Sequence, residues 1–162
     1  IIGFIGSLTP HKGFDLFVEV LASNELDALI AGSGPLENLI TNHNNLKYLG
    51  YINEAGKKNF YNKIDILVFP SVVEETFSLV CFEAIFNYVP VVCFDIGFPS
   101  KIISKYDVGT IADEKSVSSL NIAIQKCIGN LNVLSSNCSL VIDDFDNLDF
   151  RKKLLKVFSP RN

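Results

Sequence analysis

The residues best suited to chemistry lie in three short segments, each of which follows a run of apolar residues. The first, residues 6–13, has glycine at the end of the apolar run and Lys12 just before a helical pattern. Glycine lets the backbone approach a ligand closely, and a lysine at a helix start suits a phosphate. A tight turn with a surface lysine explains the same pattern without a ligand, so this segment alone does not decide between them.

The second segment, residues 31–36, contains Gly32, Gly34 and Pro35. It begins like the dinucleotide fingerprint G-x-G-x-x-G, but Glu37 stands where the third glycine is required. Gly34 followed by proline is also a signal for a tight turn into a helix. Contact with a ligand and a purely structural turn therefore explain this segment equally well.

The third segment, residues 70–84, passes two acids, Glu74 and Glu75, and enters an apolar helical pattern near Ser78. Glu83 lies beside the face that this helix should bury, where a carboxylate is costly unless it is hydrogen-bonded. It could pair with a neighbour or reach the surface, or it could accept hydrogen bonds from ligand hydroxyls. In the second case we expect it to lack a full set of partners from the protein.

The elements that must position these segments alternate between β-rich and helical patterns. The β-rich runs are residues 1–8, 27–31, 46–52, 65–70, 89–95 and 110–112. Several are apolar almost throughout, which indicates strands buried on both faces. The pattern predicts an α/β fold, a Rossmann-like doubly wound parallel sheet of about six strands with helices on both faces.

Helical patterns separate the runs. They cover residues 14–21, 35–41, 54–62, 79–86, 116–128 and 149–158. Residues 130–147, which are rich in Asn, Ser and Asp, are expected to form loops with at most one short element. Ligands of open α/β sheets bind at the carboxyl ends of the strands, which is where all three segments should meet.

Composition excludes several classes of function. The 162 residues suit one domain, and a net charge of −4 argues against binding to nucleic acid. Cys81 and Cys93 lie inside apolar runs and indicate reduced core cysteines of a cytoplasmic protein, rather than disulfides, metal ligands or a nucleophile. The chain has no methionine and opens on a strand-like run, so we expect it to be part of a longer protein.

Taken together, the motifs resemble the C-terminal, donor-binding domain of retaining GT-B glycosyltransferases of group 1, also called family 4. The family pattern G-R-L-x-x-x-K-G is matched by residues 6–13 and G-x-G-P by residues 32–35. Its E-x7-E element is matched by Glu75 and Glu83, and P-V-V by residues 90–92. The resemblance covers residues 1–113 and implies that residues 1–162 form one nucleotide-sugar-binding domain.

The resemblance also implies roles for individual residues. Lys12 would contact the donor diphosphate, with Ser7 in the place of the arginine that usually assists it. Gly50 would lie against the base, Glu83 would bind the ribose hydroxyls, and Glu75 would hold hydroxyls of the donor sugar. Lys12 and Glu75 would be the catalytic pair. The remaining donor-binding positions are Gly34 and, at the helix start, Thr76, Phe77, Ser78 and Leu79.

The activity implied is transfer of a sugar from a nucleotide diphosphate sugar to an acceptor hydroxyl, with retention at the anomeric carbon and without a metal or other cofactor. The partners would be the donor and an N-terminal acceptor-binding domain outside this chain. Any membrane association would come through that domain, at the inner face of the membrane. The isolated domain would be inactive.

Several positions depart from the family pattern. Ser7 removes a fixed positive charge with a forked set of donors. Thr76 and Ser78 replace glycines, and Phe98 and Lys101 replace a later glycine and glutamate. These departures leave a non-catalytic sugar-nucleotide-binding or interaction module as an alternative. A nucleotide-sugar epimerase of the same fold is a further alternative, although the acid and base residues that it needs are not evident.

Overall fold

The computed structural model describes residues 1–40, 45–75 and 78–147. Within these residues, six parallel strands form one sheet in the order β3-β2-β1-β4-β5-β6. The strands are β1 (Ile2–Ile5), β2 (Ala28–Ala31), β3 (Leu46–Tyr48), β4 (Ile66–Phe69), β5 (Val91–Phe94) and β6 (Gly109–Ala112). The chain adds β2 and β3 on one side of β1 and then β4, β5 and β6 on the other, so the order in which strands are added reverses between β1 and β4. The predicted doubly wound parallel sheet is confirmed.

Six helices are described in the same ranges. They are α1 (Phe14–Ala22), α2 (Glu54–Tyr61), α3 (Leu79–Phe86), α4 (Gly97–Tyr106), α5 (Val117–Gly129) and α6 (Leu131–Asn147). Two 3-10 turns, Pro10–Lys12 and Glu37–Leu39, follow β1 and β2.

Alternate residues of the strands belong to two hydrophobic cores, one on each face of the sheet. In β4, Ile66 and Val68 join one core and Leu67 joins the other, because successive side chains of a strand point to opposite faces. Helices α1 and α5 cover the first face, and α2, α3 and α4 cover the second. Burial on both faces explains why these strands are apolar throughout.

Two helices differ from the sequence-based expectation. Residues 130–147 do not form loops, because Leu134, Cys138 and Val141 recur at helical spacing and pack α6 against α3 and α4. Helix α4 was not predicted, because glycine, proline and serine fill its first turn. Pro99 is tolerated there since the first-turn N–H groups have no partner within the helix.

The helix predicted at residues 35–41 is only the 3-10 turn within the described residues, and the one predicted at 149–158 lies outside them. All four cysteines are buried and unpaired, as expected for Cys81 and Cys93. Burial raises the pKa of the Cys127 thiol to about 12. No helix in the described residues is long and apolar enough to span a membrane.

Candidate functional site

The three segments singled out in the sequence meet at the carboxyl ends of β1, β2 and β4. The backbone of the first segment is hydrogen-bonded to both of the others. Leu8 N–H donates to the Ser33 carbonyl over 3.0 Å, and Val72 N–H donates to the His11 carbonyl over 3.0 Å. Each segment thus supports the position of its neighbours.

Gly34 is accounted for by packing. A Cβ at this position would lie 2.5 Å from the Leu8 carbonyl oxygen, so only glycine allows the first two segments to pack this closely. Its N–H donates to the Glu37 carboxylate over 3.0 Å. Glu37, which breaks the dinucleotide fingerprint, therefore caps the turn. Gly34 remains a predicted donor contact, but its structural role is sufficient to explain it.

Lys12 and Glu75 form an ion pair across the first and third segments. Lys12 ends the 3-10 turn after β1, and its ammonium donates to Oε1 of Glu75 in the loop after β4. The hydroxyl of buried Ser71 donates to the same oxygen over 3.3 Å. The Lys12 side chain is 33% exposed and that of Glu75 is 18% exposed. The Lys12 ammonium also lies 5.9 Å from the centre of the Phe69 ring.

A cavity of about 170 Å³ opens beside this pair. It is lined by Phe4, Ile5, Gly6, Lys12, Phe69, Glu75, Ser78, Leu79 and Val80. It lies where the strand order reverses between β1 and β4, the position at which open α/β sheets bind ligands. Small-molecule pockets usually measure roughly 300–1,000 Å³, so a nucleotide bound here would extend beyond the cavity.

A larger cavity, of about 600 Å³, lies at the amino ends of β2 and β3, opposite the carboxyl ends where the three segments meet. Residues 21–26 and 45–46 line it, with Glu25 as their one charged side chain. None of the residues singled out in the sequence lines this cavity. The smaller cavity, which Lys12 and Glu75 line, is therefore the better candidate for the ligand site. The described residues contain no group of three or more His, Cys, Asp or Glu side chains that could hold a metal ion.

Gly97 fixes the backbone of Glu75. It begins α4 with a φ of 67°, and a Cβ there would lie 2.5 Å from the Glu75 carbonyl oxygen. The next N–H, of Phe98, donates to that oxygen over 3.2 Å. Sequence reasoning missed the supporting roles of Gly97 and Ser71. A glycine three residues after the end of an apolar strand was the available signal for the first.

Glu83 has a protein partner on each carboxylate oxygen, contrary to the expectation that it lacks a full set of partners. Its Oε1 pairs with the Lys57 ammonium at 2.9 Å, and its Oε2 accepts from the Tyr61 hydroxyl over 2.9 Å. Lys57 and Tyr61 both belong to α2, so Glu83 joins α3 to α2. Burial and then the Glu83 charge raise the pKa of Tyr61 far above its usual range, which keeps its hydroxyl a donor.

Of the other predicted residues, Ser78 and Leu79 line the cavity and Ser7 and Gly50 do not. Ser7 is exposed and Gly50, with a φ of 66°, follows β3. Ser78 is the buried residue that precedes α3, and Leu79 is exposed in the first turn of that helix. Thr76 and Phe77 lie outside the described residues.

Comparison with known proteins identifies the family. The family model described as glycosyl transferases group 1 matches residues 1–134. The chain belongs to the group 1 glycosyl transferases. The group 1 match includes all the site residues above and ends within α6.

Two curated relatives are similar to part of the chain. An uncharacterized 42.6 kDa protein in the cps region of Klebsiella pneumoniae is 37% identical over 91 residues, which are 52% of this chain and 23% of that protein. A GDP-mannose-dependent alpha-mannosyltransferase of Mycolicibacterium smegmatis is 29% identical over 114 residues, which are 70% of this chain and 30% of the enzyme.

Solved structures share the fold of this chain. HepE of Anabaena, in complex with UDP, has a TM-score of 0.75 at 22% identity, over 86% of this chain and 43% of HepE. The chain thus spans less than half the length of each of these proteins.

Proposed function

We propose that this chain is the donor-binding domain of a retaining glycosyltransferase, which transfers a sugar from a nucleotide diphosphate sugar to an acceptor hydroxyl. The observation that carries the proposal is the meeting of Lys12 and Glu75 beside the cavity at the sheet reversal, in a chain of group 1. A cation and a carboxylate at one site suit a ligand that carries both phosphates and hydroxyls.

The proposed binding mode follows the order of the strands. The diphosphate would lie against Lys12 and the N-terminus of α3, whose N–H groups suit an anion. The base would lie against Gly50, after β3, and the ribose against Glu83, which is joined to the helix that follows Gly50. Glu75 would accept hydrogen bonds from the donor sugar. Gly34, Thr76, Phe77, Ser78 and Leu79 would complete the set.

In the proposed reaction, the leaving group is a nucleoside diphosphate that gains negative charge as the bond to the anomeric carbon breaks. Lys12 and the dipole of α3 would stabilise this charge, and the proposal needs no metal. Ser7 in the usual arginine position leaves Lys12 as the main cation.

The named relatives agree with a nucleotide-sugar donor. One is a GDP-mannose-dependent mannosyltransferase, and HepE was solved with UDP, so the base and the sugar stay open for this chain. We further propose that an N-terminal acceptor-binding domain completes the enzyme. We expect the complete enzyme to work in the cytoplasm, with any membrane contact made by that domain.

Replacement of Lys12 tests this proposal. Lys12→Ala should weaken binding of UDP or GDP by about tenfold or more, because a hydrogen bond to a charged group contributes roughly 1.5–3 kcal/mol. Ser7→Arg should tighten binding, because it restores a forked cationic donor. Isothermal titration calorimetry measures both effects, and thermal denaturation should show little change in folding, since a partly exposed pair adds little stability.

Lys126→Ala is the matched control, because it removes the same charge from an exposed position near the end of α5. Equal nucleotide affinity in the wild type, Lys12→Ala and Ser7→Arg would show that the diphosphate does not bind at Lys12.

A further inference from the structure

The cation proposed to bind the diphosphate already has an anionic partner within the protein. Lys12 donates to Oε1 of Glu75, and Ser71 donates to the same oxygen. Because an ammonium has three N–H donors, a diphosphate that binds Lys12 either replaces Glu75 or shares the ammonium with it, and either exchange weakens the contact with Glu75. The free energy of that exchange depends on what Glu75 receives in return.

Backbone contacts hold Glu75 beside Lys12. Its backbone carbonyl accepts from Phe98 N–H over 3.2 Å, and Gly97 packs against the same carbonyl oxygen. The carboxylate is largely buried, with 18% of the side chain exposed, so water compensates only in part for the loss of the lysine. It would then face a phosphate of the same charge.

We infer that the Lys12–Glu75 pair makes the site selective for the intact nucleotide sugar over the free nucleoside diphosphate. This inference rests on the proposed function. A nucleoside diphosphate takes Lys12 from Glu75 and offers the carboxylate no donor. A nucleotide sugar takes the same lysine but brings sugar hydroxyls, which donate to Glu75 in its place.

Selection of this kind serves turnover. After transfer, the product in the site is the nucleoside diphosphate, and the hydroxyls that faced Glu75 have left with the sugar. Glu75 then competes with the product for Lys12. The same ion pair thus favours binding of the donor and release of the product. Glu75 both binds the sugar and makes the site selective for the nucleotide sugar over the nucleoside diphosphate.

Glu75→Gln separates the two ligands. The variant retains side-chain volume and releases Lys12, so a nucleoside diphosphate should bind about 1.4- to fivefold more tightly, the range for a partly exposed ion pair. The nucleotide sugar should bind about tenfold more weakly, because its hydroxyls lose a charged acceptor. Calorimetric titrations with UDP and UDP-glucose, and with GDP and GDP-mannose, give the affinity ratio for each protein.

Glu74→Gln is the matched control, since it removes an equal charge from the adjacent, exposed residue. It should change the affinity for both ligands slightly and in the same direction. The inference is overturned if Glu75→Gln leaves the affinity ratio at its wild-type value, or if Glu74→Gln changes that ratio as much.

The proposed function fails separately. If the wild type binds the nucleotides and Lys12→Ala weakens that binding while Glu75→Gln leaves the ratio unchanged, only the selectivity is wrong. If neither nucleotide nor nucleotide sugar of either base binds the wild type at millimolar concentration, the proposed function and the inference are both overturned.

Discussion

Two lysine–glutamate pairs at the ends of one short segment differ in what they join. Lys12–Glu75 links two loops beside the cavity, whereas Lys57–Glu83 links helices α2 and α3. The additional donor to Glu75 is Ser71, and the additional donor to Glu83 is Tyr61, whose ring belongs to the core on that face of the sheet.

The difference shows that one sequence motif can combine a binding residue with a structural one. Both glutamates belong to the E-x7-E element, yet Glu75 belongs to a loop that backbone contacts hold in place. Glu83 ties together two helices that cover the core. Loss of the first should reduce binding more than stability, and loss of the second should reduce stability whatever it does to binding.

The largest effect is expected where the support of the loop pair is removed. Gly97→Ala places a Cβ against the Glu75 carbonyl oxygen and forces alanine into a positive φ. A left-handed conformation alone costs roughly 1–2 kcal/mol, so the free energy of unfolding should fall by at least about 2 kcal/mol with the contact included. Urea denaturation measures this loss.

Gly97→Ala should also weaken binding of the nucleotide sugar, because Glu75 moves away from the position in which it would accept hydrogen bonds from the sugar hydroxyls. Gly129→Ala, at the end of α5, is the control, since a Cβ there meets no atom within 4 Å. Wild-type stability and wild-type affinity in the Gly97 variant would show that this contact does not position Glu75.

The sequence predicted the sheet well and the partners of the site poorly. Continuous apolar runs identify strands, because burial on both faces leaves no room for polar residues. By contrast, Lys57 and Tyr61 lie 26 and 22 residues from Glu83, and only the packing of α2 beside α3 brings them together. The many polar residues of α6 have weak helix propensity and obscured its buried apolar face. Tertiary contacts of that face outweigh the weak propensity.

An intermediate effect is expected when the helix pair is broken. Glu83→Gln removes the charge that pairs with Lys57 and leaves a weaker acceptor for Tyr61. The free energy of unfolding should fall by about 1 kcal/mol, the typical worth of a hydrogen bond. The loss follows from the two protein partners of Glu83, whereas a ligand-binding carboxylate was expected from the sequence to lack a full set of partners.

Thermal and urea denaturation of Glu83→Gln beside Glu75→Gln give the comparison directly. Glu83→Gln should lose more stability than Glu75→Gln, and Glu75→Gln should alter the nucleotide affinity ratio. The distinction between the two pairs is wrong if Glu83→Gln is as stable as the wild type.

The smallest effect is expected at the second acid that contacts Lys57. Glu54 lies 2.7 Å from the Lys57 ammonium, closer than Glu83 at 2.9 Å, but its side chain is 85% exposed against 28% for Glu83. The hydrogen bonds that Lys57 donates to Glu54 first and to Glu83 second raise the pKa of Lys57. The shorter distance predicts a stronger interaction of Lys57 with Glu54, whereas the lower exposure predicts a stronger interaction with Glu83. We expect the interaction with Glu83 to be the stronger one, because water screens an exposed pair.

Glu54→Gln should therefore lower the free energy of unfolding by only about 0.3 kcal/mol, the usual value for exposed pairs within one helix. Because the pKa of Lys57 is raised, the stability from its charge is complete below 10.5, the ordinary lysine value, and is lost as the pH rises through the higher folded value. The differences among the wild type, Glu54→Gln and Glu83→Gln should stay constant between about pH 6 and pH 9 and shrink at higher pH. A loss in Glu54→Gln equal to that in Glu83→Gln would mean that Lys57 is held by its own helix, and that Glu83 does not join α3 to α2 through an ion pair.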